Sequence, residues 1–130
     1  MLELQSAAKE CRKRSPLAYL ERARAVPIDI NHGIHDGHGK NSVPISQSLR
    51  AFNALALPQD RFTEEEIEYF TRQARVPPHL QSQAPFSSNG GLKILFRRQS
   101  ANARITPSFD GGHEKNTEAA FRWLNQQMRN

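Results

Sequence analysis

The sequence has a single cysteine, Cys11. This excludes an internal disulfide and a thiolate-bound zinc cage. Long apolar runs are also missing, and none approaches the roughly 20 residues a membrane-crossing helix needs. The N-terminal stretch MLELQSAAKECRKRS places charges where a signal peptide carries its apolar segment. No export signal is expected on the chain as written, and no membrane partner. Aromatic residues make up only 8% of the chain, and none alternates with the basic residues. The formal charge of +5 clusters only at Arg12–Arg14 and at Arg97 and Arg98. Without a basic stripe or interleaved aromatics, solvated surface charge explains the excess better than nucleic-acid binding.

What is present is enough for one folded domain. The 130 residues are 37% hydrophobic and 24% charged, a mixture that favours a modest core over disorder. Ser15 and Pro16 resemble a helix start, with Leu17, Leu20 and Ala23 on one face and Pro27 as the stop. IDINHG alternates Ile28 and Ile30 with polar neighbours, as a strand does. Gly33, Gly37 and Gly39 then make a loop. A second helix begins near Ser42 to Pro44, with Ile45, Leu49, Phe52 and Leu55 as its apolar stripe. Thr63 and Glu66 have the spacing of a capping box and start a third. From Val76 to Gly91, three prolines and two glycines read as a long loop. LKILFRR and RITPSF read as strands around a turn at SANA. A final helix follows, capped by Thr117, with Ala120, Phe121, Leu124 and Met128 on one side. The fold class is therefore α/β.

Two loops rich in glycine and histidine each lie between a strand and a helix. In the first, His32, His35 and His38 recur at intervals of three with Asp36 among them. Three chemistries fit. Imidazole and carboxylate together suit a metal such as zinc or iron, though the glycines argue against the rigid helix that a paired-ligand motif uses. A structural role is the default for any one of these residues, above all for His35, His38 and the distant His79. The third is acid–base catalysis: Asp36 in one strand-end loop and His113 in the other can meet, the carboxylate fixing the imidazole that moves a proton. Asp110 and Glu114 flank His113 and compete as its partner, but a residue adjacent in sequence usually points away, so Asp36 is preferred; Asp29 is disfavoured because it lies within the strand.

The segment HGIHDGHGKNSVPISQS resembles the one after the seventh strand of the α/β-hydrolase fold, where His-Gly-x-x-Asp is followed by Val-Pro and a helix. Here those positions are His32, Gly33, Asp36, Val43 and Pro44. ITPSFDGGHEKNTEAAFRWL resembles the segment after the eighth strand, which carries the catalytic histidine ahead of the last helix. SPLAYLERARAVPIDINHG fits the lead-in to the seventh strand. The likeness is to the prolyl oligopeptidase group of serine peptidases and esterases. It runs from about Ser15 onward and is weakest between 60 and 91, which would be an insertion or long loop.

The resemblance implies a partial α/β-hydrolase fold. Its last two core parallel strands and flanking helices would be present, and it would be incomplete without the N-terminal strands. Asp36 would be the triad acid and His113 the base. No cofactor and no metal are implied. The fold also needs a serine in a Gly-x-Ser-x-Gly elbow, and that pentapeptide does not occur. Ser87 and Ser88 lie near glycines but follow the acid. The expectation is the C-terminal portion of a serine hydrolase, spanning 1–130, without its nucleophile. Its partners would be a peptide or ester substrate once completed by an N-terminal portion, and a complementary chain or a second copy. The other readings are a noncatalytic interaction remnant of the fold and a small metal-binding protein.

Overall fold

The computed structural model describes residues 1–81, 93–115 and 117–127. Along them run α1 (Leu2–Arg14), β1 (Ile28–Gly33), α2 (Ile45–Leu55), α3 (Glu64–Gln73), α4 (Pro78–Gln81), β2 (Ile94–Ser100), β3 (Ala103–Phe109) and α5 (Thr117–Gln127). The protein is a mixed α/β fold with a small sheet in the order β1-β3-β2.

The central strand β3 runs parallel to β1, with Ile28 opposite Ala103 and Ile30 opposite Ile105. It runs antiparallel to β2, with Gln99 opposite Arg104. A parallel pair ends on one side of a sheet. The chain leaving β1 and the chain leaving β3 therefore emerge next to each other, and that fact positions the site.

Alternation along the strands gives the sheet two unlike faces. Phe96, Ala103 and Ile105 face the core, where the stripe of α2 packs on them with Ile67 and Phe70 of α3. Phe62 sits among Phe52, Phe70 and Phe96 with ring centroids 5.6–6.1 Å apart, mostly edge to face. That arrangement adds to the area term of burial. The opposite face is polar. Arg104 makes a two-pronged bond to the buried Asp29 carboxylate at 2.8 and 3.0 Å, and Asn31 donates to the same group. Trp123 of α5 stacks near the Arg104 guanidinium. Asp29 is thus committed to a structural ion pair.

Two sequence expectations need correction. The helix expected from Ser15 to Pro27 is instead two 3-10 turns, Pro16–Ala18 and Leu20–Ala23, and Ser15 makes no side-chain cap. Leu20 and Ala23 still pack against the core. A helix this short gains little from propensity alone, so the packing decides its form. The α-helix lies upstream, in α1, which buries no residue. The loop expected from Val76 onward begins as an ordered core segment, with Val76 and Leu80 buried and Pro77 enclosed, before residues that lie outside the described ones. In α5, Ala120, Phe121 and Leu124 share one side and line a common groove, while Ala119 is the buried residue and Phe121 and Leu124 stay 62% and 49% exposed. Trp123 lies near the Arg104 guanidinium of β3. Met128 lies outside the described residues.

The third helix follows its sequence signal closely. Thr63 Oγ1 accepts from the Glu66 amide and the Glu66 carboxylate accepts from the Thr63 amide. Replacing Thr63 by alanine should lower the unfolding free energy by about 1 kcal/mol. Urea denaturation measures this, and a change near zero would show that the cap is idle.

Candidate functional site

Gly33 is the hinge on which the site is built. A Cβ there would lie 2.2 Å from the Gly112 carbonyl oxygen and 2.4 Å from that of Gly111. No side chain fits, so glycine alone lets the two loops meet. The His35 amide donates to the Gly111 carbonyl at 3.0 Å and ties them together. The exposed His35 ring reaches Asp110, also at 3.0 Å. These contacts bring Asp36 and His113 face to face, 77 residues apart in sequence.

Asp36 is 5% exposed. Its Oδ1 accepts from the Gly37 amide at 2.9 Å and from the Val43 amide at 2.8 Å. Its Oδ2 accepts from Nδ1 of His113 at 2.9 Å. Gly37 has φ +95°, a left-handed conformation that turns its amide back onto the carboxylate at little cost. Burial by itself pushes the carboxyl pKa up. The bonds from His113 and Val43, with the nearby His32 and His113 rings, outweigh it and hold the group below the usual carboxylate range. Asp36 is an anion at neutral pH. A carboxylate accepts only, so His113 presents Nδ1–H to it and is left with the lone pair on Nε2. The His113 side chain is 65% exposed. Together with Asn31, His32, Gly33, Asp36 and Lys115 it lines a cleft of about 310 Å³. A fixed tautomer, a buried counter-anion and an open ring nitrogen are the requirements for general base catalysis.

The other candidates are arranged differently. Asp110 binds His35 rather than its sequence neighbour His113. Glu114 accepts from the Gly112 amide at 3.1 Å and braces the turn. His79 pairs with Glu66 on the surface. His38 is exposed. Among the described residues, no group of three or more His, Cys, Asp or Glu is gathered as a metal site needs. The reason is directional, since His35 turns toward Asp110 while His32 turns inward. Ser87 and Ser88 lie outside the described residues.

One participant was not singled out as a partner of the pair. His32 is 8% exposed. Its Nδ1 lies 2.8 Å from Ser48 Oγ and its Nε2 3.1 Å from the Val43 carbonyl. A carbonyl accepts only, so Nε2 carries the proton and Nδ1 accepts from the serine hydroxyl. Nε2 is also 3.5 Å from Asp36 Oδ2. Burial is the largest influence on His32 and lowers its pKa, although Asp36 and Val43 act the other way. Its place at the inward end of β1 was the available sequence signal.

Comparisons with protein-family models, with curated proteins and with solved structures found no match.

Two predictions follow from this geometry. Gly33→Ala should disrupt the loop contact, because backbone rather than a flexible side chain occupies the Cβ position. A variant that keeps wild-type stability and an unchanged His113 NMR signal would contradict the close approach. The second concerns pH. The folded pKa of His32 lies below its ordinary value of about 6.5. As pH falls through that value, the unfolded chain takes up a proton before the folded one does, so stability declines. Asp36 adds a further loss below about pH 3.9, down to its depressed folded value. The urea midpoint should be level above pH 7 and begin to drop as pH falls below about 6.5. A midpoint that rises on acidification would contradict the assignments.

Proposed function

We propose that the chain supplies the acid and base of a serine-hydrolase triad, in a partial α/β-hydrolase arrangement of the prolyl oligopeptidase-like kind. Asp36 is the acid and His113 the base. The observation that carries this reading is the 2.9 Å contact between Asp36 Oδ2 and His113 Nδ1, delivered by loops that follow two neighbouring parallel strands. Ligand and catalytic groups of α/β proteins gather at such strand ends.

In this mechanism His113 Nε2 takes the proton from a serine hydroxyl as that oxygen attacks an ester or peptide carbonyl. It then gives the proton to the departing alcohol or amine. Asp36 keeps the ring oriented and stabilises its cationic form. The serine and the oxyanion donors come from a segment other than the two loops described here. An aspartate–histidine pair without a positioned nucleophile does not replace them. Peptides and acyl esters, acetylated sugars included, are the substrate classes of enzymes with this triad.

A second reading has its own support. The far edge of β1 has no strand partner among the described residues. Beside it lies a groove of about 460 Å³ lined by Ala120, Phe121 and Leu124 with Asp29, Asn31 and Lys115. Open strand edges and exposed apolar area favour association. These features suit a noncatalytic interaction module that retains the triad loops, and they also suit a chain completed by another.

The two readings separate experimentally. The purified chain should not be labelled by a fluorophosphonate probe, and stoichiometric labelling would refute the absence of a nucleophile. Co-expression with a segment carrying the Gly-x-Ser-x-Gly elbow, sought in the coding DNA upstream, should produce labelling and ester hydrolysis. In that assembly His113→Gln should lower kcat by about 10⁴-fold or more. An assembly as active without the imidazole as with it would end the triad reading.

A further inference from the structure

We infer that His32 is a positioning residue for the acid–base pair: a second, buried imidazole that holds the Asp36 loop shut and aims Oδ2 at His113. The inference rests on the Asp36–His113 reading and extends it to a buried residue that lines the same cleft and takes no part in the proton transfer itself.

Val43 connects the two side chains. The Val43 amide donates to Asp36 Oδ1 at 2.8 Å, while the Val43 carbonyl accepts from His32 Nε2 at 3.1 Å. One residue thus links the imidazole to the carboxylate. His32 is in turn tethered by Ser48 Oγ at 2.8 Å. Ser48 sits on α2 next to Leu49, which is completely buried. The rigidity of the core therefore reaches Asp36 along a chain of hydrogen bonds, from α2 through Ser48, His32 and Val43. Without it, the segment from Gly37 to Val43 would be held only by its contacts with Asp36 and by the Ser42–Gly39 turn.

The protonation pattern gives the ring a second effect. Neutral His32 keeps Nε2–H toward the Val43 carbonyl, and the same hydrogen lies near Asp36 Oδ2, 3.5 Å from the nitrogen. Oδ2 is the oxygen that receives the Nδ1–H of His113. A neutral donor at that distance steadies the carboxylate without competing for it, whereas a cation would compete. Phenylalanine at this position would keep the bulk and lose both bonds. Glutamine would keep one donor able to reach a carbonyl.

The test uses the full chain labelled with ¹⁵N, reading imidazole nitrogens and the low-field His113 Nδ1 proton at pH 7.5. In the wild type, His32 is expected as the Nε2–H tautomer and His113 as the Nδ1–H tautomer. In His32→Phe the His113 proton should exchange with water severalfold faster and its tautomers should mix, while His32→Gln should restore much of the wild-type signal. A purely structural residue would change stability and leave the His113 signals alone. If His32→Phe does not fold, Ser48→Ala decides. It releases the ring from α2 and should speed the same exchange in a folded protein. Wild-type His113 signals in folded His32→Phe, or in folded Ser48→Ala, would overturn the inference while leaving the pair intact. A wild-type His113 that carries its proton on Nε2 would overturn the pair as well, and the inference with it.

Discussion

A buried carboxylate needs donors, and Asp36 takes them from two segments far apart in sequence. Removing an anion from water costs several kcal/mol unless hydrogen bonds replace the lost hydration. Gly37 and Val43 supply two from its own loop, and His113 supplies the third from the loop after β3. The third donor is available only if the loops touch. They touch only because β1 and β3 are parallel neighbours and because Gly33 has no side chain to hold the Gly111–Gly112 backbone away. The site and the topology are therefore one constraint.

The two faces of the sheet divide the remaining work. The core face fixes α2 through Ile45, Leu49, Phe52 and Leu55, and α2 begins directly after Val43 and Pro44. The loop that closes over Asp36 is thus anchored at its far end by a helix with four residues buried in the core. On the polar face, the Asp29–Arg104 pair crosses from β1 to β3 and joins the two strands that deliver the site. That pair is largely buried, with Trp123 near the Arg104 guanidinium, so its hydrogen bonds are less diluted by water. It strengthens the strand pairing that matters most, while the far edge of β1 has no strand partner among the described residues.

Much of this was readable in the residues. The stripe of α2 and the capping box of α3 depend on local spacing, and spacing survives folding. The β2–β3 hairpin follows from two apolar runs flanking a short polar turn. Asp36 and His113 could be paired because both follow strand patterns and glycine opens both loops. Other features depend on contacts that spacing does not encode. The turns at Pro16–Ala18 and Leu20–Ala23 replace a regular helix because only Leu20 and Ala23 reach the core. The polar helix α1 has no apolar stripe to announce it and buries nothing. That Trp123 would lie near Arg104 is a contact that the spacing of α5 does not encode. His32 looked like one histidine among several until its neighbours Ser48 and Val43 were placed.

The most direct test of the account is a double-mutant cycle on the pair at the centre of the site. Asp36→Asn, His113→Gln and the double variant would be compared with the wild type by urea unfolding at pH 7. The account predicts a favourable coupling of about 0.5–1 kcal/mol, modest because His113 is largely exposed. That coupling should shrink toward zero once acid protonates the carboxylate. Additive single effects at pH 7, with no coupling, would show that the two side chains do not meet in solution.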